Sequence, residues 1–361
     1  MCAEAKEGGL MFEIFGISSQ ALFGQLLIGL INGSFYALLS LGLAVIFGML
    51  NIINFTHGAQ YMMGAFAAYL LLQYFGISYW WSLLIAPIVI GFTGVLIERN
   101  LIAQLNSSSK LRTVVFLGST AVLFLLARPS FGPTLGLAVA TAGGFAVVEA
   151  WAYFRPPSES AQHVDHLYGL LLTFGIALII QGVFRNYYGS SGLPYRVPDQ
   201  LQGTQNLGFM FLPNYRGWVI AVSLVVCFAT WFVIERTRLG SYLRAATENP
   251  ALVRAFGINV PRMITLTYGL GVALAALAGV MAAPIYNVSP LMGADLIIVV
   301  FAVVVIGGMG SIMGAILTGF GLGVVEGLTK VFLPQASDTV IFVVMAIVLL
   351  IRPAGLFGRS T

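Results

Sequence analysis

GLINGSFYALLSLGLAVIFGMLNIINFTHGAQYMMGAF, residues 29–66, contains no Asp, Glu, Lys or Arg. One membrane crossing takes about 20 apolar residues, so the stretch is too long for a single span. The polar NIINFTHG at 51–58 divides it, leaving apolar runs at about 24–48 and 59–75. Read the same way, the whole chain gives further spans at about 79–97, 112–127, 132–153, 167–185, 217–234, 263–286, 294–309, 312–332 and 339–352. The composition agrees: 59% of residues are hydrophobic, 8% are charged and mean hydropathy is +0.94. Gly accounts for 42 of 361 residues, against about 7% in average proteins. Small residues let helices approach closely in lipid. The expected fold is therefore all-α, a polytopic helical transmembrane bundle.

About nine of these spans form the expected core. The other two lie in a segment, 103–162, that reads as an inserted helix pair: it opens with the polar NSSSK (106–110) and closes with RPPSESAQ (155–162). Several spans are short or broken by Gly, as in re-entrant segments buried within protein. An N-terminal tail is expected at 1–20, with Met11 as a second candidate start, ahead of a transmembrane domain at 21–358.

Basic residues in short loops set orientation. The 235–262 loop holds Arg236, Arg238, Arg244, Arg254 and Arg262, which places it in the cytoplasm. The 98–112 loop and the C-terminus with Arg352 and Arg359 then share that side. The N-terminus and the 186–216 loop face outside, where Arg185, Arg196 and Arg216 are exceptions. The net charge of +4 is dispersed and is no nucleic-acid footprint. Cys2 and Cys227 form no disulfide framework.

Several chemistries lack their residues. None of the three lysines, Lys6, Lys110 and Lys330, follows a glycine, so there is no phosphate-binding G-x-x-x-x-G-K-[ST] loop. The Gly-rich GGMGSIMG (307–314) has its third glycine one place too late for a dinucleotide loop and lies between two apolar runs; it reads as a tight turn between packed spans. His163 and His166 with Asp165 read as an interfacial loop and not a metal site. No catalytic residue, metal or cofactor is expected in this chain, and no enzyme activity.

Polar groups inside apolar runs are costly and mark function or interhelical hydrogen bonding. Asn32, Ser34 and Tyr36 lie in the first span; Asn54, His57 and Gly58 follow it. Gln181 lies in the sixth, Asp295 begins an apolar stretch and Glu326 sits near the outer end of another. These are candidates for a polar solute path. Asp295 also fits the N-terminus of a half-helix, where a carboxylate complements the dipole.

The charge concentrates elsewhere: seven of the 28 residues from Glu235 to Arg262 are charged. In RLGSYLRAATENPALVRAFGINV (238–260), Gly240 opens a helix over 241–248. Asn249 then caps a second, 250–256, with Pro250 at its first position and Gly257 at its end. Arg244 and Glu248 are i, i+4 partners. A capped pair of charged helices has the shape of a docking element; a plain topology loop needs charge but no caps.

This stretch resembles the cytoplasmic coupling segment of binding-protein-dependent ABC permeases, and more narrowly the branched-chain amino acid permease family in its R-A-x-x-E-N-x-x-x-x-x-x-x-G-I-N-V form. Residues 29–66 are similar to that family's N-terminal block with its N-F-x-H-G. DHLYGLLLTFGIALIIQG (165–182), GSSGLPY (189–195), VVVIGGMGSIMGAILTGFGLGVVE (303–326) and IRPAGLFG (351–358) are similar too. The resemblance covers about 11–102 and 163–358 and departs at 106–162, where the family usually runs almost directly into DHLYG.

The resemblance implies the membrane half of an importer in the bacterial inner (plasma) membrane. A second homologous permease chain pairs with it, two separate ABC ATPase subunits bind the ATP, and a periplasmic solute-binding protein delivers a branched-chain amino acid. Gly240, Arg244, Ala245, Glu248, Asn249 and Gly257 are the implied coupling residues. Two alternatives stay open: a urea or short-amide permease of the same fold, and an ion-driven secondary transporter using Asp295 and Glu326 as cation sites.

Overall fold

The computed structural model describes residues 13–14, 17–50, 53–102, 120, 143–144, 147, 166–208 and 210–358. The expected spans at 112–127 and 132–153, and His163 and Asp165, lie outside the described residues apart from single helical positions. Of those described, 80% are helical. The helices are α1 Ser19–Leu50, α2 Thr56–Phe75, α3 Tyr79–Ile97, α4 His166–Tyr188, α5 Asn214–Arg236, α6 Arg238–Glu248, α7 Pro250–Ala255, α8 Val260–Tyr286, α9 Met292–Gly307, α10 Ile312–Phe332 and α11 Val340–Ile351. Each of the nine core spans read from the sequence is a helix, and six described helices are long and apolar enough to cross a membrane.

Two boundaries correct the sequence reading. Helix α1 begins at Ser19, inside the expected tail, and just before it Glu13–Ile14 pairs antiparallel with Ile17–Ser18. Helix α8 begins at Val260, three residues early, because the Asn259 side chain accepts from the Arg262 N–H at 3.1 Å and Pro261 fits the first turn. Helices α9 and α11 have 16 and 12 residues. At about 1.5 Å per residue neither reaches the roughly 30 Å of a hydrocarbon core.

The chain packs as two compact units. The first holds the described residues within Met1–Leu41, Arg196–Arg236 and Val299–Thr361. Here α10 crosses the first half of α1 at near backbone contact. A Cβ added to Gly33 meets the Phe320 Cα and Gly319 O at 3.1 Å, and one added to Gly29 meets the Gly327 Cα at 3.0 Å. Small residues on both helices make this approach possible. A hairpin of Thr204–Asn206 and Phe211–Pro213 precedes α5.

The same unit contains the Gly-rich turn. Gly308 and Gly310 adopt φ of 99° and 84°, a left-handed geometry only glycine takes freely. The C-terminal segment seals it: the Leu356 and Phe357 N–H groups donate to the Ile306 and Gly307 carbonyls at 2.8 and 3.1 Å. The turn reading of 307–314 therefore holds, and the segment similar to the family's I-R-P-A-G-L-F-G has a structural task.

The second unit holds the described residues within Gly42–Tyr195 and Thr237–Ile298. Helix α8 is its centre, packed on α2 and α3 with Ile46, Ile90, Tyr268, Val272 and Ala276 buried between them. Helix α3 ends in a π-helical turn, Glu98–Ile102. There the buried Glu98 accepts from the Thr265 hydroxyl at 2.5 Å.

Candidate functional site

In the first unit, the α1–α10 crossing brings together three sequence candidates. Glu326 is 5% exposed. Asn32 Nδ2 donates to its Oε1 at 3.1 Å and the Tyr36 hydroxyl donates to its Oε2 at 2.8 Å. Lys330, one turn further along α10, forms an ion pair with Oε1. A carboxylate in an apolar bundle is tolerated when its charge and lone pairs are met, and this one has a cation and two neutral donors. Lys330 was not among the sequence candidates; the signal was Glu-x-x-x-Lys at helical spacing on an otherwise apolar span.

In the second unit, the turn before α2 is knotted into the packing. Asn54, 1% exposed, donates from Nδ2 to the Tyr268 hydroxyl at 3.0 Å, while its Oδ1 accepts the Thr56 N–H at 3.1 Å. The Thr56 hydroxyl donates to the Thr173 carbonyl on α4 at 2.8 Å. His57 and Gln60 are wholly buried beside them. Tyr268 and Thr173 escaped the sequence reading because neither sits in a motif; their partners lie more than a hundred residues away.

Gly58 is where this knot meets open space. A Cβ there would lie 2.5 Å from the Gly293 carbonyl oxygen and 3.0 Å from the Ile297 Cβ. The close pass of α2 and α9 leaves a cavity of about 210 Å³ beside it, walled by Phe55, Met62, Phe174, Ile297 and others, with Gln181 a polar group in its wall. Gln181 Nε2 donates to the Pro290 carbonyl at 3.3 Å. Asp295 is exposed in the first turn of α9, the half-helix position expected for it.

The charged segment forms two abutting helices. Asn249 Oδ1 accepts from the Leu252 N–H at 3.0 Å, Pro250 starts α7, and Gly257 ends it at φ 81° with its N–H donating to the Arg254 carbonyl at 2.9 Å. One expectation is corrected: Gly240 does not open α6 but lies buried inside it, the helix starting at Arg238. Arg238 and Leu239 are good helix formers, and burial of Gly240 outweighs its propensity. Leu243, Ala246, Val253 and Val260 turn inward. Ala245, Glu248 and Asn249 are exposed, as are Leu239, Tyr242, Leu252 and Phe256, the last at 78%.

The family described as the branched-chain amino acid transport system / permease component matches residues 25–108 and 111–350. The chain belongs to that family. The second matched stretch runs through the segment expected to be an insertion. The permease is 28% identical over 347 residues to the high-affinity branched-chain amino acid transport system permease protein LivH of Escherichia coli, covering 93% of this chain and 95% of that protein. It is 30% identical over 340 residues to BraD of Pseudomonas aeruginosa, a protein of the same description, with the same coverage. A probable branched-chain amino acid transport permease, LivM of Methanocaldococcus jannaschii, is 29% identical over 301 residues, 78% of this chain and 74% of that one. No solved structure shows significant similarity to the chain. The permease is thus a multi-pass membrane transport protein and not an enzyme.

Proposed function

We propose that this permease is one membrane half of an ABC importer for branched-chain amino acids, working in the inner membrane beside a second, homologous permease chain. ATP is bound and hydrolysed by two separate ATPase subunits, and a periplasmic binding protein delivers the solute. The observation that carries this reading is the α6–α7 element. Its inner face is anchored by Leu243, Ala246 and Val253, while Leu239, Tyr242, Leu252 and Phe256 stand exposed among arginines. Apolar side chains held outward on a capped, charged element suit a protein groove. Gly240, Arg244, Ala245, Glu248, Asn249 and Gly257 shape that element. Closure of the ATPases then moves it as a body and biases the spans between outward- and inward-open states. Similarity to LivH- and LivM-type chains alike supports the second permease subunit.

We propose Asn32, Tyr36 and Glu326 as solute-contacting residues of the first unit, and Gly58 as one of the second. Asn54 and His57 support Gly58 from within the packing. The test is copurification with the products of neighbouring genes, followed by ATP-driven uptake in proteoliposomes. Leucine uptake that needs the ATPase subunits and the binding protein is expected. Uptake driven by an ion gradient without ATPase subunits overturns the reading.

A further inference from the structure

We propose that the cavity beside Gly58 receives the branched side chain of the transported amino acid and sets the size the permease accepts, an inference that rests on the importer reading above. About 210 Å³ of partly open space lined by Phe55, Met62, Phe174 and Ile297 offers an aliphatic group contact on several sides. The space suits one such side chain and is too small for a helix of a partner chain, which is about 10 Å across. Its wall is not uniformly apolar: Gln181 is tied by its Nε2 to the Pro290 carbonyl. An amide of this kind is ill placed against lipid acyl chains but suits a site visited by a solute with polar ends, since ligand pockets combine apolar walls with few polar groups.

The floor is fixed. Gly58 and Gly293 pass at backbone distance, and the Asn54–Thr56–Thr173 hydrogen bonds hold the turn that carries Phe55. A pocket with a rigid floor discriminates by volume, and one methylene in an apolar pocket is worth about 10-fold or more in selectivity. Ala177 and Ala294 line the cavity from α4 and α9; both are at least partly exposed, so a larger side chain can enter without breaking the core.

The experiment uses the complete transporter, purified with its partner chains and reconstituted with binding protein. ATP-driven uptake of leucine and of alanine is measured for the wild type, Ala177→Leu and Ala294→Leu. Filling the cavity is expected to lower the leucine-to-alanine ratio of kcat/KM by about tenfold or more in both variants. Unchanged ratios, equal falls for both solutes, or loss of the second permease chain from the purified complex overturn the pocket assignment while leaving the importer reading intact. A wild-type complex that takes up no branched-chain amino acid overturns both.

Discussion

The Tyr36 hydroxyl lies 2.8 Å from Oε2 of Glu326, joining residues 290 positions apart in the chain. The carboxylate is buried and the phenol supplies it with a donor. Tyr36→Phe removes one donor and is expected to cost about 1–3 kcal/mol. Lys330→Ala leaves the buried Glu326 without its cation and is expected to cost more, about 3 kcal/mol or above. Glu326→Gln combined with Lys330→Gln removes both charges and restores most of the loss. Thermal unfolding of the purified chain in detergent checks the order; a smaller loss for Lys330→Ala than for Tyr36→Phe contradicts it.

Gly58→Ala forces α2 away from α9, because the new Cβ would lie 2.5 Å from the Gly293 carbonyl oxygen. Overpacking of this kind costs about 1–3 kcal/mol. Gly182→Ala on α4 meets nothing within 4 Å and serves as the control. The yield of monodisperse protein is expected to fall for Gly58→Ala and to hold for Gly182→Ala.

The coupling element separates shape from stability. Asn249→Ala removes the cap of α7 and is expected to cost about 1 kcal/mol, with leucine uptake reduced and insertion intact. Phe256→Asp alters a side chain that is 78% exposed, so folding is expected to be unaffected while copurification of the ATPase subunits is lost. Full recovery of those subunits with Phe256→Asp would remove the docking assignment.

Gly355 has φ 81°, and a Cβ there would meet the Gly308 Cα and the Val305 carbonyl oxygen at 2.6 Å. Gly355→Val is expected to unseat the C-terminal segment from the Gly-rich turn. Limited proteolysis should then cut near residues 307–311, a site protected in the wild type.

Much of the fold was readable because the cues are local. Asn249, Pro250 and Gly257 carry the boundaries of one helix in three residues, and charge-free runs delimit the spans. Gly240 misled because its propensity is local while its burial is not. Asn32, Tyr36 and Glu326 were legible as polar residues in apolar helices, but not as one cluster: that requires the crossing of α1 and α10, which glycines at 29, 33, 319 and 323 permit without announcing. The Asn54 knot stayed hidden for the same reason, its partners Tyr268 and Thr173 lying on helices distant in sequence.

The seal between Leu356, Phe357 and the end of α9 bears on biosynthesis. The carbonyls of Ile306 and Gly307 receive these donors only from residues that leave the ribosome long after α9 itself. Until then, two backbone acceptors at the edge of an apolar bundle depend on water or the translocation machinery. Assembly of this unit therefore finishes after synthesis of its C-terminal segment, and nascent chains halted before it should be substrates for membrane quality control.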